Sequence, residues 1–313
     1  MEKVSRLITL LLIQKIVSLF LILSAGALLV KCKILRSKDS RALSMLSLYL
    51  LMPCVILSSF QVDFTPEVRD GLILATVAAV IIHIVLVVLN VSLRRPLKLD
   101  PVEQTSIVYS NAGNLIVPLV AAMLGKEWVI YTSAFITVQQ VLLWSNAKAI
   151  LCGDSRFSFR KVVTNVNLIA IFAGLFLFLT GIRFPQPIED AVDSLGGMIG
   201  PISMLLTGVL IGGMNFKKIV AYRRLWLVAA LRLLAVPLIM LTLLKFSGLA
   251  RFTENGREVL LITFLATMTP SASSITSMAL VYGKDADYAS AINVVTTLLC
   301  VVTMPVMVAL YSM

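Results

Sequence analysis

Two asparagines interrupt an apolar stretch of the chain that is long enough to cross a membrane, and their chemistry suits an anion. Asn111 and Asn114 lie close to Gly113 and Pro118. Proline removes a backbone N–H and glycine lowers helix propensity, so a continuous helix is disfavoured here. The segment predicts a broken helix whose freed backbone groups and amide side chains line a polar site. An ordinary proline kink, with amides joining two helices, is the alternative interpretation.

A second interrupted stretch lies near the C-terminus, where Pro270 stands among small hydroxyl side chains. The first stretch leads to Gly-Lys-Glu at 125–127 and then Tyr131, and the second leads to Gly-Lys-Asp at 283–285 and then Tyr288. This similarity indicates an internal repeat. Interrupted helices at matching positions of two halves mark substrate sites in transporters, so the pair predicts a site where the two stretches meet.

The composition excludes a soluble domain. The 313 residues are 59% hydrophobic and 14% charged, with a mean hydropathy of +0.97, whereas soluble domains carry about 25% charged residues. The net charge of +11 does not indicate a nucleic-acid partner, because Lys and Arg are spread over short loops between spans, as orientation signals are. Seventeen of them lie in one set of alternate loops and eight in the other. The first set is therefore predicted to be cytoplasmic, with both termini outside.

The predicted fold is an all-α integral membrane protein with about ten transmembrane helices. Residues 1–152 form the first five-helix repeat, 153–164 a cytoplasmic linker, and 165–313 the second repeat. Five spans per half is an odd number, so the second half enters the membrane from the opposite side and the repeat is inverted. Gly208 and Gly212 in the seventh span predict close packing of helices.

Several short motifs occur in a characteristic order along nearly the whole chain. They are Leu43-Ser44 to Pro53, Ser110-Asn111 through Pro118-Leu119, Gln140 with Trp144, Pro270 to Tyr282-Gly283, and Thr303-Met304-Pro305. This order resembles the auxin efflux carrier superfamily, which includes plant auxin carriers and bacterial malate and malonate permeases. The long hydrophilic central loop of many plant members is absent, and the loop after Cys152 is short. The chain therefore looks like a bacterial-type permease.

The resemblance implies a five-plus-five fold like that of bile-acid symporters and sodium–proton antiporters, in which helices 4 and 9 break and cross. It also implies that Asn111 helps to hold the substrate carboxylate, and it favours Gln140 over Gln139 as the glutamine that faces the bundle. Local backbone bonding is the alternative role for the serines. The predicted substrate contacts are Asn111, Asn114, Gln140, Thr269, Ser271, Ser273 and Asn293. The predicted crossover residues are Gly113, Pro118 and Pro270.

Ionisable residues inside spans are few. All sixteen Asp and Glu are predicted in loops or at span ends, which disfavours a proton relay through an intramembrane carboxylate. His83 either carries protons or is a hydrogen-bonded packing residue. Arg232 is expected to cap a broken helix or hold backbone carbonyls. With one His and no carboxylate pair in the membrane, we expect neither an enzyme nor a bound metal or cofactor.

Together these features predict a secondary transporter of the cytoplasmic (inner) membrane that moves a small organic anion by alternating access. The anion is a mono- or dicarboxylate such as malate or malonate, or an auxin-like acid. A sodium-coupled bile-acid-type symporter of related fold is the alternative. Coupling to sodium or to protons stays open, and so does a homodimer. Apart from the anion and membrane lipid, no partner is expected.

Overall fold

A computed structural model describes residues 2–36, 39–153, 164–213 and 222–313, with all side chains in these ranges except those of 2–13, 15, 16, 118 and 122. The predicted linker lies largely outside the described residues. The α-helices in chain order are α1 (Glu2–Lys31), α2 (Ser40–Leu46), α3 (Met52–Ser59), α4 (Pro66–Arg94), α5 (Pro101–Val108), α6 (Ala112–Met123), α7 (Val129–Leu142), α8 (Lys148–Cys152), α9 (Val166–Thr180), α10 (Gln186–Gly197), α11 (Ile199–Gly212), α12 (Arg223–Ala230), α13 (Val236–Phe246), α14 (Gly256–Met268), α15 (Ser273–Val281) and α16 (Ala286–Ser312).

The described part of the chain is all helical and contains no β-strand. Five helical stretches are long and apolar enough to cross a membrane. They are Ser40–Ser59, Pro66–Arg94, Gln186–Gly212, Arg223–Phe246 and Ala286–Ser312. The protein is therefore a multi-pass membrane protein, and the predicted all-α membrane fold is confirmed at this level.

Side-chain caps set the starts of four helices. Thr65 accepts a hydrogen bond from the Val68 N–H at the start of α4, and Asp100 forms a capping box with Glu103 at the start of α5. The side chains of Asn165 and Asp285 likewise accept hydrogen bonds from backbone N–H groups at the starts of α9 and α16. Each cap satisfies N–H groups that have no partner within the helix.

Wider, π-helical turns precede two of the prolines. The turn Ser47–Leu51 leads into α3, where Pro53 is the second residue, and Leu231–Ala235 leads into α13, where Pro237 is the second residue. Proline cannot donate to the preceding turn, and a local π-helical adjustment lets the helix continue past it. The second of these turns carries Arg232 into the centre of the protein.

The helices pack as two groups. The first group contains α1, α2, α3, α9, α10 and α11, and the second contains α4 to α8 and α12 to α16. In the first group α1 and α11 pack closely through glycines: a Cβ at Gly208 would overlap the Leu23 carbonyl oxygen, and one at Gly212 would lie 2.7 Å from the Ala27 carbonyl oxygen. The predicted close packing at these glycines is confirmed.

Candidate functional site

The two interrupted stretches cross and bond to each other. Between α5 and α6 the chain is extended at Tyr109, and between α14 and α15 it is extended at Thr269. The Asn111 N–H donates to the Pro270 carbonyl at 2.8 Å, and the Ala272 N–H donates to the Tyr109 carbonyl at 3.0 Å. The two segments thus form a single antiparallel bridge, which satisfies four backbone groups in a buried region.

The backbone groups between these bonds, at Ser110 and Ser271, are satisfied by side chains from α7 and α16. The Gln139 amide oxygen accepts from the Ser110 N–H at 3.0 Å, and its NH₂ donates to the Ser110 carbonyl at 2.9 Å. In the other half, Thr296 Oγ1 accepts from the Ser271 N–H at 3.2 Å, and Asn293 donates to the Ser271 carbonyl. Side chains therefore replace the neighbouring strands that an extended segment normally needs.

The internal repeat places these partners at equivalent positions. Gln139 lies eight residues after Tyr131, and Thr296 lies eight residues after Tyr288. Each binds the backbone N–H of the serine at the centre of the bridge. The repeat in sequence thus corresponds to a repeat in hydrogen bonding.

Arg232 joins the ends of the two helices that lead into the crossing. The side chain is fully buried, and its guanidinium donates to the carbonyls of Ile107 at 2.9 Å, Thr267 at 2.9 Å and Thr269 at 3.1 Å. Ile107 lies at the end of α5 and Thr267 at the end of α14, where the carbonyls carry partial negative charge. The expectation that Arg232 holds backbone carbonyls is confirmed.

Asn111 and Asn114 lie at the start of α6, on the far side of the crossing from α5. Both are half-buried, and the Asn114 NH₂ donates to the Asn111 side-chain oxygen at 3.1 Å. No side chain of the described residues caps the N–H groups that begin α6 or α15, in contrast to the caps at the starts of α4 and α5. The two helix starts at the crossing therefore present N–H groups without a side-chain partner.

The predicted hydroxyl contacts occupy different environments. Thr269 is buried, and its hydroxyl donates to the Ala266 carbonyl, as expected for local backbone bonding. The Ser271 hydroxyl is buried and has no hydrogen-bond partner among the described residues. Ser273 is half-buried at the start of α15. Asn293 lies at the crossing itself.

Gln139 is the glutamine that faces the crossing. It is buried, and Ser110 donates to it from both its N–H and its hydroxyl. The prediction that Gln140 faces the bundle is not contradicted, because its side-chain oxygen is buried as well. Gln140 is half-buried, and its side-chain oxygen has no partner among the described residues, so it stays a predicted substrate contact.

The position of the first break also differs from the prediction. The helix is interrupted at 109–111, and Pro118 lies well inside α6 rather than at the crossover. The backbone at 109–111 finds bonding partners in the opposite segment and in Gln139, whereas Pro118 removes only one N–H. Gly113 lies in the first turn of α6, where a Cβ would lie 2.7 Å from Met52 Cε. Pro270 lies at the crossing, where its carbonyl accepts from the Asn111 N–H.

A buried ion pair that the sequence reasoning missed supports the start of α5. Glu103 is fully buried, both of its oxygens accept from Arg224 at 2.7 Å, and the Tyr288 hydroxyl donates to it at 3.0 Å. Burial alone would raise the pKa of Glu103, but hydrogen bonds from Arg224, from the Asp100 N–H and from Tyr288 bring it below its ordinary value. The spacing of Asp100 and Glu103 in the sequence predicts the start of a helix. It does not indicate the ion pair between Glu103 and Arg224.

A family model described as a membrane transport protein matches residues 11–154 and 155–308 of the chain. No curated protein matches the chain.

Proposed function

Because the chain belongs to the auxin efflux carrier family of membrane transport proteins, we propose that it is a secondary transporter of a small organic anion. The observation that carries this proposal is the crossing of two interrupted helices around a buried arginine. An interrupted backbone in a membrane protein is tolerated where it is buried in protein or lines a wet cavity. In transporters such interruptions form the substrate site.

The proposed architecture is ten transmembrane helices in two inverted repeats, with α5–α6 as the fourth helix and α14–α15 as the ninth. Two features support it. The antiparallel bridge between Ser110 and Ser271 relates the two interrupted helices by an approximate two-fold arrangement. Gln139 and Thr296, at equivalent positions of the repeat, bind equivalent backbone groups. Such a repeat lets one half adopt the conformation of the other, which is the basis of alternating access.

The proposed anion site lies at the start of α6. A helix N-terminus carries partial positive charge and free N–H groups, which suit a carboxylate. The amides of Asn111 and Asn114 add donors that are half-buried and therefore within reach of a cavity. On the other arm, the start of α15 with Ser271 and Ser273 contributes in the same way. Gln140, Thr269 and Asn293 complete the proposed set of substrate contacts.

The charge of the crossing favours an anion over a cation. Arg232 is fully buried and cationic, while the side chains that bind the bridge, Gln139, Asn293 and Thr296, are neutral. A fixed positive charge in a region of low dielectric attracts negative charge more strongly than it would in water. Arg232 acts in this proposal through the helix ends that it holds, without substrate contact.

We propose a mono- or dicarboxylate, such as malate, malonate or an auxin-like acid, as the substrate. The protein would lie in the cytoplasmic membrane with both termini outside, and it would work by itself or as a homodimer. Coupling of transport to sodium or to protons is tested in the uptake experiment below by varying the two ion gradients. The bile-acid-type symporter is not favoured, because the family match is to the auxin efflux carriers.

Uptake into proteoliposomes tests the proposal. Labelled malate, malonate and indole-3-acetate are supplied with and without inward sodium and proton gradients, and Asn111→Ala is compared with wild type. The matched control is Asn255→Ala, because Asn255 also precedes a helix without capping it through its side chain, but is exposed. We expect uptake of at least one acid, its loss in Asn111→Ala and its retention in Asn255→Ala. Full uptake by Asn111→Ala would remove the assigned site, and absence of uptake of all three acids in wild type would contradict the anion class.

A further inference from the structure

The two half-helices that leave the crossing lie in unequal environments. Because the bridge is antiparallel, α6 and α15 leave it in opposite directions. Leu119 and Val120, nine and ten residues after Ser110, are fully buried. Leu280 and Val281, nine and ten residues after Ser271, are 73% and 74% exposed. The described side chains of α6 are thus all buried or half-buried, whereas the end of α15 is uncovered.

Packing between the two helix groups explains the difference. The half-helix α6 contacts α1, α3 and α11, which all belong to the other group. The half-helix α15 packs on α5, α8 and α16, which belong to its own group. The groups are therefore in close contact along α6, and α15 presents one face away from its own group.

The uncovered face of α15 carries hydroxyl side chains beside two large apolar ones, Leu280 and Val281. Ser273 and Ser277 share this face with Leu280, and Lys284 is exposed in the turn that follows α15. In α9, by contrast, every large exposed side chain is apolar, as expected for a surface against lipid. These are Ile169, Phe172, Phe176 and Leu179.

An ion pair joins the two groups at the covered end. Lys126, in the turn after α6, pairs with Asp193 of α10. The other oxygen of Asp193 accepts a hydrogen bond from Ser58 of α3. Asp193 is thus fixed within the first group, while Lys126 belongs to the second group. The side chains are 48% and 36% exposed, so the pair can separate without a large burial penalty.

From this geometry we propose that the structure is the conformation closed at the Lys126 end and open at the α15 end, and that the Lys126–Asp193 pair is a latch that must separate before the closed end opens. The inference rests on the alternating-access transport proposed above. In the opposite conformation α6 would lose its contacts with α1, α3 and α11, and Leu119 would become accessible. Because the Lys126–Asp193 pair is partly exposed, it favours the closed end only modestly, and the pair can separate when the closed end opens.

Cysteine labelling in the full-length protein tests the latch without any substrate. Leu119→Cys and Leu280→Cys are introduced separately into a variant in which the four native cysteines, at 32, 54, 152 and 300, are replaced by Ser or Ala. A charged, water-soluble methanethiosulfonate reagent then reports access to water. We expect Leu280→Cys to react rapidly and Leu119→Cys slowly. Phe172→Cys, on the face assigned to lipid, serves as the slow control, and if Leu280→Cys reacts no faster than it, the assignment of an open end is wrong.

Breaking the pair should raise the labelling of Leu119→Cys. Exposed ion pairs shift an equilibrium by about 1.4- to 5-fold, so Lys126→Ala should accelerate Leu119→Cys labelling by about that factor. Asp70→Asn removes an exposed ion pair with Arg69 within one helix and should leave the rate unchanged. The exchanged pair Lys126→Asp with Asp193→Lys should restore the slow rate. An unchanged rate in Lys126→Ala overturns the latch.

Cross-linking connects the latch to transport. Lys126→Cys with Asp193→Cys, bridged by a short bifunctional thiol reagent, should hold the closed end shut and abolish uptake until the bridge is reduced. Uptake by the bridged protein would overturn the latch. If the labelling changes occur but wild type takes up none of the acids, the latch stands and the proposed substrate class fails.

Discussion

Arg232 is expected to stabilise the crossing by holding the ends of α5 and α14 together, and Arg232→Met tests this. Methionine keeps an unbranched apolar side chain of similar reach but removes all five N–H donors of the guanidinium. The carbonyls of Ile107, Thr267 and Thr269 would then lose their donor in a fully buried site. Stability should fall because buried carbonyls without a donor are costly.

Two estimates bound the effect of Arg232→Met. Side-chain hydrogen bonds in a membrane protein average about 0.6 kcal/mol, which gives roughly 2 kcal/mol for the three bonds of Arg232. Leaving buried acceptors without a donor costs about 1–3 kcal/mol each in soluble proteins, and removing the buried charge returns part of this cost. We therefore expect the free energy of unfolding to fall by about 2–5 kcal/mol. Arg232→Lys keeps the charge without the planar fork of donors, so its loss should be smaller.

Unfolding in detergent micelles, titrated with sodium dodecyl sulfate and followed by circular dichroism, measures the loss. Arg251→Met is the control, because Arg251 is exposed in a short turn after α13. If Arg232→Met unfolds within about 0.5 kcal/mol of wild type, the range of an ordinary surface substitution, the three bonds do not hold the crossing and the reasoning is refuted.

Two further substitutions test the side chains that support the crossing and its approach. Gln139→Leu leaves the extended segment without its side-chain partners, so the free energy of unfolding should fall by about 2 kcal/mol and uptake should be lost. Gln186→Leu on the exposed surface is the control, and unchanged unfolding of Gln139→Leu would contradict the assigned role. Glu103→Gln tests pH dependence: because the folded-state pKa of Glu103 lies below its ordinary value, its stabilisation is complete above about pH 4.3 and is lost as the pH falls through the folded-state pKa. The variant should be less stable at pH 7 and lose less stability on acidification, as thermal unfolding measured against pH will show; equal pH profiles would contradict the pairing with Arg224.

Part of the site could be predicted from local chemistry. Asn111 and Pro270 stand out because amides and prolines are poor components of a continuous lipid-facing helix. Their two segments lead to similar sequences, which predicted a repeat. Both observations depend only on residues that lie close together along the chain.

Other parts could not be predicted because they depend on the direction of a side chain. Gln139 and Gln140 are adjacent in sequence, but one residue rotates a side chain by about 100° around a helix, and only Gln139 reaches the Ser110 backbone. The break at 109–111 likewise depends on partners outside its own segment. Pro118, the strongest local signal, lies inside a helix that continues past it.

The membrane class, the two interrupted stretches and their repeat could be identified from the chain alone, because hydropathy and the backbone chemistry of proline and glycine are local properties. Which groups meet depends on the packing of the helices. Arg232 binds the Ile107 carbonyl from 125 residues away, and Glu103 pairs with Arg224 across 121 residues. Burial makes each unpaired polar group costly, so the fold brings such distant groups together, but their identities depend on how the helices pack.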